Sequence, residues 1–120
     1  MAATRLETEL YRRGGAATIE LRGELDGFGE EALNGAFAEA LEGNPEAVLL
    51  DFGQVAYINS TGIALIVGLV SRCRRAGLPL LICGLNEHFH EIFKITRLSD
   101  YVQLLPDAEC ALRHALAESD

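Results

Sequence analysis

From Ala47 to Gly77 the chain reads AVLLDFGQVAYINSTGIALIVGLVSRCRRAG, and the reading of these residues decides the fold. Ala47-Val48-Leu49-Leu50-Asp51-Phe52 is an apolar run between Asn44-Pro45 and Gly53, too short for a helix and suited to a strand buried on both faces. After Val55, Tyr57 and Ile58 comes a polar turn, Asn59-Ser60-Thr61-Gly62, and then Ile63, Leu65, Ile66, Val67, Leu69, Val70 and Cys73. This second run predicts a helix over 61–76. Ser60 is placed to accept from the free amides of its first turn. Arg72, Arg74 and Arg75 suit its negative end, and Gly77 can take the left-handed conformation that ends it. The early turns are apolar nearly all round, so burial is expected to override the strand preference of Ile and Val, with Ile66, Val67 and Val70 among the least exposed residues. Two hydroxyls, Ser60 and Thr61, then stand at a helix N-terminus, a position that tolerates an anion.

Upstream, Leu6, Thr8 and Leu10 alternate with Glu7, Glu9 and Tyr11, and after Gly14-Gly15 the alternation resumes with Ala17, Ile19 and Leu21, which predicts two strands joined by a tight turn. Gly23-Glu24-Leu25-Asp26-Gly27 breaks that pattern. Leu33, Ala36, Phe37, Ala40 and Leu41 follow at helical spacing until Gly43-Asn44-Pro45. Downstream, Leu78 to Cys83 reads as a strand, and Leu85, Phe89, Ile92 and Phe93 mark an amphipathic helix starting near Asn86. Thr96 to Asp100 leads back to a strand from Tyr101 to Leu105. Pro106-Asp107 then opens a helix with Ala108, Leu112, Ala115 and Leu116 on one face. The order ββαβαβαβα predicts an α/β fold: a mixed β-sheet made of an N-terminal antiparallel hairpin and then parallel βα units, covered by helices.

One hundred and twenty residues of ordinary globular composition fit a single domain, 1–120. A net charge of -8 argues against direct nucleic-acid binding, which needs a basic footprint. No apolar run reaches spanning length and the first residues carry no secretory pattern, so the expected place is the cytoplasm, away from a membrane. Cys73, Cys83 and Cys110 sit inside apolar patterns without metal-ligand spacing and read as buried free thiols. His88 and His90 are two apart on a helix and point to different faces, so a solvated pairing with Glu87 or Glu91 is a better reading than a metal site. Ser60 lacks a nucleophile elbow, and Gly23 and Gly27 lack the spacing of a phosphate loop, so no enzyme, metal or cofactor is expected. From the residues alone Ser60 reads either as a helix cap worth roughly 1 kcal/mol or as a functional hydroxyl.

The string from Asp51 to Ile63, with Gly23-Glu24-Leu25-Asp26 upstream and Phe93-Lys94-Ile95-Thr96-Arg97-Leu98 downstream, resembles the STAS domain of bacterial anti-sigma factor antagonists, and the order of elements agrees over nearly the whole chain. The resemblance implies partner switching. The unmodified antagonist binds an anti-sigma factor that is also a serine kinase and so releases sigma factor. The kinase, using its own ATP and magnesium, phosphorylates the antagonist, and a PP2C-type phosphatase reverses this. The family's phosphoacceptor maps to Ser60, with Thr61 as second choice, and the partner surface maps to Asp26, Gly27, Asn59, Ser60, Thr61 and Gly62. Where the family usually has Asp before the acceptor, this sequence has Asn59, which keeps the shape and can cap but removes a charge. The alternatives are a STAS scaffold or transporter-accessory protein that is not phosphorylated, and a small-molecule sensor with its ligand in the core.

Overall fold

A hairpin followed by strand-helix-strand units can cover only one face of its sheet until the last helix. Consecutive right-handed crossovers that step in one direction all land on the same side. The computed structural model, which describes residues 5–118, has this form. β1 (Glu7–Arg13) and β2 (Ala16–Leu25) make the antiparallel hairpin, and β3 (Ala47–Ile58), β4 (Leu80–Cys83) and β5 (Gln103–Leu105) add as parallel strands in sequence order. α1 (Glu30–Glu42), α2 (Ser60–Ala76) and α3 (Glu87–Ile95) are the crossover helices, and α4 (Ala108–Glu118) follows β5. The expected element order and mixed sheet are both present.

Pleating sorts the strand side chains into two layers. Ile19 and Leu21 of β2, Leu50 and Phe52 of β3 and Ile82 of β4 join Leu33 and Phe37 of α1, Ile66 and Leu69 of α2, and Phe89 and Phe93 of α3 in the main core. Phe52 and Phe93 meet edge to face, with ring centroids 5.7 Å apart. The alternate residues Ala16, Ala47, Leu49, Leu81 and Cys83 turn to the other face and meet Ala111 and Leu112 of α4. Burial on both faces is why β3 begins, and β4 runs, as unbroken apolar sequence. The hairpin carries polar groups instead, and Arg22 pairs with Glu9 and Glu20, each at 3.4 Å. The expected packing of Ala115 and Leu116 falls outside the described side chains.

Three expectations need correction. The segment read as a break after Arg22 is still strand: β2 continues to Leu25, with Gly23 at φ 98° and register slips between Glu20 and Arg22 and between Gly23 and Glu24. A bulge with its glycine at positive φ accounts for the lost alternation. β3 likewise continues past Phe52 to Ile58, but β4 pairs only with Val48 to Asp51. The outer half of β3 has β2 beside it and exposes Gly53, Gln54, Ala56 and Tyr57, so its sequence stops looking buried. Third, α2 is not buried all round. Ile66 and Val70 are inside, but Val67 is 47% exposed. The helix lies with one side on the sheet, and Ser60, Ala64, Val67, Gly68, Ser71 and Arg75 form an outward stripe at helical spacing.

Candidate functional site

The carboxyl ends of β2 and β3 lie side by side, with Leu25 in register with Ile58, so the loops that follow them leave the sheet together. After β2, the Asp26 carboxylate accepts from the Phe28 N–H at 3.0 Å and the Asp26 carbonyl accepts from the Gly29 N–H at 3.0 Å, which winds Gly27–Gly29 into one turn of 3-10 helix. This turn leaves Phe28 81% exposed. Phe28 was not singled out in the sequence. The available signal was a large apolar side chain between two glycines, outside any helical or strand period.

After β3, Asn59 turns the chain into α2. Its backbone is extended, at φ -106° and ψ -178°, and its Oδ1 accepts from the Gly62 N–H at 2.9 Å. Its own N–H donates to the Leu25 carbonyl at 3.2 Å, which ties the cap back to β2. The cap is therefore Asn59 and not Ser60. Ser60 already has its place in the first helical turn, where a side chain cannot reach back to the amides that a cap satisfies. Ser60 and Thr61 are both exposed, and the Ser60 hydroxyl makes no hydrogen bond among the described residues. The first turn of α2 holds no acidic side chain.

Two glycines set how closely the loops approach. A Cβ on Gly62 would stand 2.0 Å from the Leu25 carbonyl oxygen, so only a glycine lets α2 start against the end of β2. A Cβ on Gly27 would come within 3.3 Å of the Thr61 methyl, which puts the Asp26 turn and the head of α2 in contact. The geometry thus brings Asp26, Gly27, Asn59, Ser60, Thr61 and Gly62 to one edge of the molecule, with Phe28 of the Asp26 turn as its exposed aromatic ring. Chemically this edge presents free hydroxyls at the positive end of a helix, a carboxylate and an exposed aromatic ring.

No three His, Cys, Asp or Glu side chains among the described residues converge to hold a metal ion, and His88 and His90 both lie exposed on α3. Burial pushes the Cys73 thiol up to about 11, and burial followed by the adjacent Asp51 carboxylate pushes Cys83 up to about 12, so both stay protonated at neutral pH. Among the described residues no helix is long and apolar enough to cross a membrane.

Comparison with known proteins bears on the family of the chain. The family model of the STAS domain matches residues 7–111. The anti-sigma-B factor antagonist of Listeria monocytogenes is 30% identical over 87 residues, 72% of this chain and 75% of that protein. A crystal structure of an anti-sigma factor antagonist from Mycobacterium paratuberculosis superposes with a TM-score of 0.79 at 18% identity, over 92% of this chain and 93% of that one. A sulfate transporter family protein from Wolinella succinogenes superposes as well, with a TM-score of 0.79 at 18% identity over 89% of each chain. From the match over 7–111 and the identity to the Listeria protein, the chain belongs to the STAS domain family.

Proposed function

We propose that the chain is an anti-sigma factor antagonist. It binds an anti-sigma factor that is also a serine kinase through the Asp26–Phe28 turn and the Asn59–Gly62 head of α2, and phosphorylation of Ser60 dissociates it. A PP2C-type phosphatase restores the binding form, and the cycle runs in the cytoplasm. One observation carries the reading: Asn59 performs the capping, so the exposed Ser60 hydroxyl has no structural task at the helix end that best accommodates a phosphate. Two solved structures, an antagonist and a sulfate transporter family protein, fit the fold equally well, so fold alone does not choose between them. The sequence relative, an anti-sigma-B factor antagonist, favours the first.

A dianion on Ser60 gains a fraction of a kcal/mol up to about 2 from the helix end, so the domain stays folded when modified. The penalty falls on the complex, where the phosphate must be stripped of water against the partner. A cost of about 3 kcal/mol there lowers affinity more than a hundredfold. The test is incubation with candidate kinases, ATP and magnesium, followed by mass spectrometry of the peptide from Tyr57 to Arg72. Label is expected on Ser60, none on Ser60→Ala, and undiminished label on Thr61→Ala. Ser60→Asp should fold and fail to bind the kinase. Label on Ser60→Ala equal to wild type would remove Ser60 from the cycle.

A further inference from the structure

Away from this surface, a groove of about 500 Å3 runs between the C-terminal half of α2 and the connection from α3 to β5, a size within the range of small-molecule sites. Its floor is apolar, made by the buried Val70 and Leu98, and the Tyr101 ring forms a wall. The charged side chains that line it are Arg74 and Arg75, both cationic in a chain of net charge -8. Neither guanidinium forms an ion pair among the described residues. Arg74 instead lies over the Tyr101 ring, 4.7 Å from its centroid, which orients the guanidinium without neutralising it. Asp100, next to Tyr101 in sequence, is already held by Arg97 at 2.9 Å. A basic residue at a helix C-terminus complements the helix dipole. That accounts for the charge but not for an apolar floor and an aromatic wall placed beside it.

We propose that this groove binds a small anion with an apolar body, an aryl carboxylate or aryl phosphate. Its head is met by Arg74 and Arg75, and its ring lies on Val70 and Leu98 beside Tyr101. Thr96 lines the same groove and spends its hydroxyl proton on the Ile92 carbonyl at 2.7 Å, so the charged donors offered to the anion are the two guanidiniums.

The experiment is NMR titration of the isotope-labelled full chain with phenyl phosphate, hydrocinnamate, inorganic phosphate and benzyl alcohol. Saturable shifts of the amides of 71–75 and 96–101 are expected with at least one aryl anion at submillimolar Kd, and which of the two binds identifies the head. Inorganic phosphate and benzyl alcohol should each bind at least about tenfold more weakly, because each lacks one half of the ligand. The double variant R74Q/R75Q should raise Kd about tenfold or more at an unchanged melting temperature. If loss of the Tyr101 contact lowers its melting temperature, Arg75→Gln alone, altering an exposed side chain, should still weaken binding severalfold. No saturable shift of these amides with either aryl anion, inorganic phosphate binding as tightly as phenyl phosphate, or undiminished binding to Arg75→Gln and to the double variant would each overturn the proposal.

Discussion

Asn59 and Ser60 differ in what they do for the fold, although either side chain could cap a helix. Asn59 has the extended backbone of a cap and its amide oxygen accepts from Gly62, so Asn59→Ala leaves a first-turn amide without its acceptor and should cost about 1 kcal/mol. Ser60→Ala removes a hydroxyl with no partner among the described residues and should leave denaturant midpoints within about 0.5 kcal/mol of wild type. Equal losses for the two variants in urea titration would return the cap to Ser60. The same reasoning applies to Phe28. An aromatic ring that is 81% exposed adds little to the core, so Phe28→Ala should melt as wild type. On the partner-switching reading it should bind the kinase at least about tenfold more weakly, since exposed aromatic anchors carry a large share of interface energy. Calorimetry of binding beside thermal melts measures both effects.

Among the elements, α2 allows the sharpest contrast. Ile66 and Val67 are neighbours in sequence and of similar size, yet Ile66 is 0% and Val67 47% exposed. Ile66→Ala should cost about 2–5 kcal/mol through lost contacts and a cavity, whereas Val67→Asp should change stability by less than about 1 kcal/mol. Chemical denaturation of the pair distinguishes a helix lying on a sheet from one enclosed on every side. The sequence could not make this distinction, because Ile63, Leu65, Ile66, Val67, Leu69 and Val70 crowd the helix with apolar residues and blur the period that would mark its outward stripe. Where apolar runs are short and bounded, as at Leu78 to Cys83, the strand was legible to within two residues. The ends of β2 and β3 were missed for a different reason. A bulge at Gly23 and the short reach of β4 are facts of pairing between strands, and no local pattern reports them. The candidate site was legible only as residue types at a helix start, and the division of labour between Asn59 and Ser60 was not, because it depends on a backbone angle.

At the scale of the whole molecule, the sheet separates two unequal apolar layers, and each holds a buried thiol. Cys73 belongs to the larger core with α1, α2 and α3, and Cys83 to the smaller one under α4. The smaller layer has Ala111 and Leu112 as its buried α4 members among the described residues, so undocking α4 exposes much less apolar surface than opening the main core. Partial opening with the lowest free energy should therefore uncover Cys83 first. Thiol labelling in mild denaturant should modify Cys110, which is half-buried, at once, then Cys83, and Cys73 only with global unfolding. Alkaline pH should act on both layers in the same direction. Folding raises the two thiols from an ordinary value of 9.0 to about 11 and about 12, so above pH 9 the unfolded chain has given up protons that the native state still holds. Stability must then fall as pH rises from 9 towards 11–12, and replacing both cysteines with alanine should flatten that slope. Denaturation midpoints of wild type and the Cys73→Ala/Cys83→Ala chain, measured from pH 8 to pH 11, test this. Parallel slopes would mean that the thiols contribute nothing to the alkaline limb.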